Sequence, residues 1–160
     1  MDMATKITPF LWFNGQAEEA AKFYTSIFKN SKVGAITRYG EEGPGRKGSV
    51  MTVDFHLDGQ EFTALNGGPE FSFTPAISFV AHCKTQQEVD EYWEKLSAGG
   101  KTMQCGWLTD RYGVAWQITP TILLEMIQDR NAAKVRSVMQ AMMQMVKLDI
   151  QALKDAYERG

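Results

Sequence analysis

The sequence predicts an α+β fold in which one strand–helix–strands plan occurs twice and a helical tail follows. Three observations carry this. Residues 49–57 alternate, with Met51, Val53, Phe55 and Leu57 on one face and Thr52, Asp54 and His56 on the other, the period of a strand with two unlike sides. Two stretches carry apolar stripes at helical spacing: Ala17, Ala20, Tyr24, Ile27 and Phe28 in one, Val89, Tyr92, Trp93 and Leu96 in the other. Sliding the chain by 69 residues lays Phe23-Tyr24 on Tyr92-Trp93, Ile27 on Leu96, Glu19 on Glu88 and Phe10 on Phe79. Aligning Gly59 with Gly113 lays Phe62 on Trp116. Agreement of order, caps and turns marks an internal duplication.

Taken in order, residues 7–13 form a short apolar strand broken at Asn14-Gly15, and residues 16–28 a helix with Asn14 as its expected N-cap. Residues 33–39 read as a strand leading into a glycine-rich loop, 40–48. Strand 49–57 turns at Asp58-Gly59, the strongest hairpin signal in the chain, and returns through 60–65 to Asn66-Gly67-Gly68-Pro69. The second copy opens with strand 76–82. Thr85-Gln86-Gln87-Glu88 is a capping box for a helix that runs to Ser97 and stops at Gly99-Gly100. Residues 101–108 and 114–119 supply strands either side of the turn Asp110–Gly113, where Gly113 is free to take positive φ. Past Pro120 the pattern is helical: a short turn or two over 121–128, a helix over 131–146 with Val135, Val138, Met139, Met142 and Val146 on one face, and a last helix, 150–157, capped by Asp149. The methionines of that stripe are expected to pack in a core or dimer contact. The division expected is residues 1–128 as one domain of two modules, about 5–70 and 74–120, with 129–160 as a helical extension.

Composition narrows the function. Of 160 residues, 44% are hydrophobic, enough for a substantial core, and a net charge of −2 gives no electrostatic case for nucleic acid or an anionic membrane. Two cysteines make no disulfide framework and suit a reducing cytoplasm. The amino-terminal stretch MDMATKITPFLWF reads as neither signal peptide nor membrane span. Gly43, Gly45 and Gly48 match the spacing of a dinucleotide fingerprint, but the loop contains Pro44, precedes a strand and opens no helix, so it fails the context that gives that spacing meaning. No other glycine-rich turn from strand to helix offers a site for S-adenosylmethionine.

The segments FNGQAEEAAKFYTSIF (13–28), FHLDGQEFTALNGGP (55–69), AISF from Ala76, EVDEYWEKL (88–96), CGWLTDRYGVAWQITP (105–120) and MMQMVKLDIQAL (142–153) resemble the glyoxalase/bleomycin-resistance/dioxygenase superfamily, the vicinal oxygen chelate proteins, and within it the PhnB-like branch. The resemblance implies two βαβββ modules curling into a cup-shaped mixed sheet, usually in a homodimer. It also implies a divalent metal in enzymes of the class, held by residues of the first and last strands of each module. Those positions fall here on Pro9 and Ser78 and on Thr63 and Gln117, none of which supplies imidazole, carboxylate or thiolate.

No cofactor is therefore expected, while a divalent metal on a non-standard set stays open. The expected partner is a small molecule, in a metal-free pocket lined by Phe10, Trp12, Asn66, Ser78, Trp107, Trp116 and Gln117, large apolar faces with a few orienting polar groups. The alternative is an enzyme of the glyoxalase or dioxygenase type, a lyase, isomerase or dioxygenase with an altered or absent metal site. Its catalytic candidates are Asp54, His56 and Cys105, which carry the side chains able to move a proton.

Overall fold

A computed structural model describes residues 6–160; the first five residues, which open the amino-terminal stretch read above and include the start of the first module at residue 5, lie outside the described residues. The chain divides into two compact units, one ending at Phe73 and one comprising Thr74–Gly160. The fold is α+β, with the strand–helix–strands plan in each unit and helices at the carboxyl end.

Unit 1 consists of β1 (Phe10–Phe13), α1 (Ala17–Ile27), β2 (Lys32–Arg38), β3 (Val50–Leu57) and β4 (Gln60–Asn66). The sheet order is β1-β4-β3-β2, with β1 parallel to β4 and the other pairs antiparallel. Asp58 at φ 48° and Gly59 at φ 85° make the tight turn the sequence predicted, left-handed at both central residues to match strand twist. That turn sets Leu57 opposite Gln60, and so Asp54 opposite Thr63 and His56 opposite Glu61. One sheet face buries Leu11, Phe13, Val53, Phe55, Leu57, Phe62 and Ala64 with Ala17, Ala20, Ala21, Tyr24 and Ile27 of α1. Tyr24 stacks 6.0 Å from Phe55, which stacks 5.2 Å from Phe62. Each such aromatic contributes about 1.5–3 kcal/mol by leaving water.

The cap of α1 differs from expectation. Gln16 is the N-cap and makes no side-chain cap bond; the Oδ1 of Asn66 accepts the Ala17 N–H at 2.9 Å instead. The Asn66 Nδ2 donates to the Val50 carbonyl at 3.1 Å. Asn14 lies two residues too early, before a link that turns through Gly15 at φ 86°, so the capping group comes from the end of β4.

Unit 2 consists of β5 (Ser78–Cys83), α2 (Gln86–Ser97), β6 (Lys101–Thr102), β7 (Trp107–Thr109), β8 (Ala115–Pro120), α3 (Thr121–Ile127), α4 (Ala132–Met143) and α5 (Ile150–Arg159). The order is β5-β8-β7-β6, again with the first and last strands of the plan parallel. Thr85 Oγ1 accepts the Glu88 N–H at 3.2 Å, while Glu88 Oε1 reaches one residue further back, to the Lys84 N–H. The strand expected over 101–108 is interrupted. Cys105 and Gly106 take φ of 61° and 82°, and their N–H groups donate to the carbonyls of Met145 and Val146 at 2.9 and 2.8 Å. Partners far along the chain thus take donors that a continuous β6–β7 ladder would have used.

The tail has its own core: Leu123, Met126, Val138, Leu148 and Leu153, with Met142, Met145 and Tyr157 packed against it. Because α4 ends at Met143, Val146 lies beyond the helix and is 41% exposed, not on the apolar stripe expected for it. Gln86 fastens the tail to α2, its Nε2 donating to the Leu148 carbonyl at 3.1 Å and its Oε1 accepting the Ile150 N–H at 2.8 Å. Lys147 pairs with Asp90 at 2.9 Å.

The duplication also acquires a finer ruler. The helices begin 69 residues apart, at Ala17 and Gln86, but the strand registers set Phe10 opposite Thr63 and Val80 opposite Gln117. Three residues link β1 to α1 and two link β5 to α2, so Phe10 corresponds to Val80 and not to Phe79.

Candidate functional site

Alternation in the strands gives each sheet a second face, turned away from the buried one. In unit 1 that face carries Phe10 and Trp12 of β1, Glu61, Thr63 and Leu65 of β4, and Thr52, Asp54 and His56 of β3. Thr63 donates its hydroxyl to Asp54 Oδ1 at 2.9 Å. The Nδ1 of His56 is buried without a partner among the described residues. Phe10 is 61% exposed beside Thr63. The sequence named Asp54, His56 and Phe10 as site residues and Thr63 only as a metal position of the class, and it did not name Glu61. The two-residue turn at Asp58-Gly59 was the signal that could have placed Thr63 and Glu61 beside Asp54 and His56, because it dictates the register.

In unit 2 the corresponding face carries Ser78, Val80 and His82 of β5, Ala115, Gln117 and Thr119 of β8, and Trp107 and Thr109 of β7. Gln117 Nε2 donates to Ser78 Oγ at 2.9 Å, and half-buried Trp107 stands opposite Gln117. Ser78, Gln117 and Trp107 therefore share one face. Trp116 points to the other: it is 4% exposed, its ring lies 5.5 Å from Phe79, and its Nε1 donates to Asp110 Oδ2 at 2.9 Å. The carboxylate of Asp110, itself 3% exposed, also accepts the N–H groups of Tyr112 and Val114 at 2.9 and 3.1 Å.

The other expected residues are placed as follows. Trp12 donates its indole N–H to the Gly68 carbonyl at 2.9 Å and meets Phe71 edge-on at 4.9 Å. A Cβ on Gly67 would stand 2.4 Å from that indole, which explains a glycine there. Asn66 caps α1, as described. Cys105 is half-buried in the β6–β7 connection. The other thiol, Cys83, is buried, and burial first, then the charge of Glu88, pushes its pKa up to about 12; it stays a neutral hydrophobe at any physiological pH.

The metal implied by the resemblance can be tested on these donors. Thr63 gives its hydroxyl proton to Asp54, Gln117 gives its amide proton to Ser78, and the Pro9 carbonyl accepts the Thr63 N–H at 3.0 Å. The register puts Thr8, another hydroxyl, in the place corresponding to Ser78. None is a ligand of the kind a divalent metal needs, so these residues do not fit it. Among the described residues, no three His, Cys, Asp or Glu side chains group to hold an ion. A nucleotide-like cofactor fits no better. Gly43 and Gly45 lie against the Tyr39 ring, where a Cβ would come within 2.5 and 2.2 Å, so these glycines serve loop packing between β2 and β3.

Two strand–helix–strands units, each with its first strand parallel to its last, define a protein of the vicinal oxygen chelate class. The family model described as 3-demethylubiquinone-9 3-methyltransferase matches residues 5–119, and the chain belongs to that PhnB-like family. It is similar to the PhnB protein of Bacillus cereus, described under the same heading, with 43% identity over 72% of this chain and 99% of that one, at a TM-score of 0.67. A protein from Pseudomonas aeruginosa shares the fold at 20% identity, covering 73% of this chain and 98% of its own, with a TM-score of 0.61. So does the fosfomycin resistance protein FosX of Listeria monocytogenes, at 15% identity, 74% and 94% coverage and a TM-score of 0.50. No curated protein matches the chain. The family match ends at Thr119, and α3–α5 lie beyond it. No described helix is long and apolar enough to cross a membrane.

Proposed function

We propose that the protein binds a small hydrophobic or aromatic molecule without a metal, on the sheet faces that carry Phe10 and Trp12 in unit 1 and Trp107, Ser78 and Gln117 in unit 2, and that it works as a cytoplasmic homodimer. One observation carries the reading: the last-strand positions that hold metal in enzymes of the class are Thr63 and Gln117, each tied by a hydrogen bond to a neighbouring side chain. An apolar or aromatic surface with a few polar groups is what remains there, and that combination suits recognition. The dimer and the compartment rest on the resemblance and on the two free thiols. The methyl transfer named in the family's description is not part of the proposal, because the glycine loop packs on Tyr39 and opens no helix.

The test is thermal unfolding of untagged protein with added Mn²⁺, Zn²⁺, Ni²⁺ or Fe²⁺ and, separately, with a panel of aromatic small molecules. We expect no saturable rise in Tm with any metal and a saturable rise with at least one aromatic compound. One tightly held metal per chain, or a panel without a single shift, overturns the reading.

A further inference from the structure

Resting on that reading, we infer that the Asp54 face of unit 1 selects an aromatic molecule bearing a protonated amine. The hairpin register gathers Asp54, His56, Glu61 and Thr63 on one face, with Phe10 beside Thr63. Asp54 satisfies one carboxylate oxygen through the Thr63 hydroxyl at 2.9 Å, which orients the group and leaves the other oxygen to accept. Half-buried Glu61 adds a second negative charge to the same face; the cation opposite His56 is Lys32, exposed on the edge strand β2. Acceptors therefore outnumber donors around Asp54, and the complementary ligand group is a cation that donates hydrogen bonds.

Phe10 supplies the other half. Its ring is 61% exposed on β1, two strands from Asp54. Two strand spacings are on the order of 10 Å. An aryl ring on Phe10, joined by a short alkyl link to an ammonium at Asp54, covers that span. A neutral hydroxyl would replace the carboxylate's water with a single uncharged donor, a weaker partner than an ammonium, and an anionic group would add like-charge repulsion.

The experiment titrates three matched probes into the full chain by calorimetry: 3-phenylpropylamine, 3-phenylpropanol and 3-phenylpropanoate. The amine is expected to bind about tenfold or more tightly than the alcohol, and the carboxylate weakest, with the His56 ring resonances moving as the amine is added. Asp54→Asn keeps an acceptor for Thr63 and removes that charge; it should cut the amine's advantage over the alcohol several-fold, leaving what Glu61 supplies, with Tm unchanged. Phe10→Ala should weaken amine and alcohol alike. An alcohol that binds as tightly as the amine, or an amine preference undiminished by Asp54→Asn, overturns the inference and leaves the proposed function standing. If neither these probes nor the wider aromatic panel binds, both fall together.

Discussion

In unit 1 the turn before β4 is the exposed pair Asp58-Gly59, and the strands it joins are held by the stacked rings of Tyr24, Phe55 and Phe62. In unit 2 the corresponding turn before β8 centres on Asp110, which is buried and takes N–H groups from Tyr112, Val114 and Trp116. Topology, parallel pairing of first and last strands, and helix position are the same in both. A turn needs only backbone that can bend, so its side chain is free to stay in water or to become a structural bond. Once a carboxylate is buried, however, every donor it holds depends on it.

The widest expected gap between the units follows from that dependence. Asp110→Ala should destabilise unit 2 by about 3–5 kcal/mol, since two buried donors, of Val114 and Trp116, and the half-buried N–H of Tyr112 lose their acceptor. Asp58→Ala, at a solvated turn where only the φ of 48° disfavours alanine, should cost about 1–2 kcal/mol in unit 1. Urea unfolding followed by tryptophan fluorescence measures both, and equal losses would erase the contrast.

A second difference is the tail, which only unit 2 carries. Gly106→Ala should cost about 2 kcal/mol, because φ is 82° there and a Cβ would stand 2.9 Å from Leu148. Hydrogen exchange over residues 145–160 should rise while exchange in unit 1 stays as it was; a uniform rise would mean that the units do not divide as described.

The smallest effect is electrostatic. Hydrogen bonds from Gln86 and Lys147 hold the Asp90 carboxyl below its ordinary 3.8, and the Tyr157 hydroxyl and Asn131 N–H do the same for Asp129. A carboxyl whose folded pKa is lowered stabilises above its unfolded value and loses that contribution as pH falls through the folded one. Exchange protection of the tail should therefore decline below about pH 4, and Asp90→Asn should flatten part of that decline. Among the described residues of unit 1 the ion pairs are Lys22–Glu18, within α1, and Lys47–Glu41, within the loop after β2, so its protection sharpens the comparison as an internal reference.

Period-two alternation from Met51 to Leu57, the Asp58-Gly59 turn, the helix stripes and the Thr85 and Asp149 caps were determined by the sequence alone. Each rests on residues within one or two turns of one another, where side-chain period and backbone preference act directly. The register that brings Thr63 to Asp54 was legible in the same way, through a two-residue turn with one possible pairing. The fate of groups whose partners are distant was settled by packing. Asn66 caps a helix 49 residues earlier, Cys105 and Gly106 leave strand geometry to bond Met145 and Val146, and a link one residue shorter moves the second copy of the first strand from the 69-residue ruler to Val80. Hydrogen-bond donors must be satisfied somewhere, but local sequence does not say where, and that choice belongs to the packed chain.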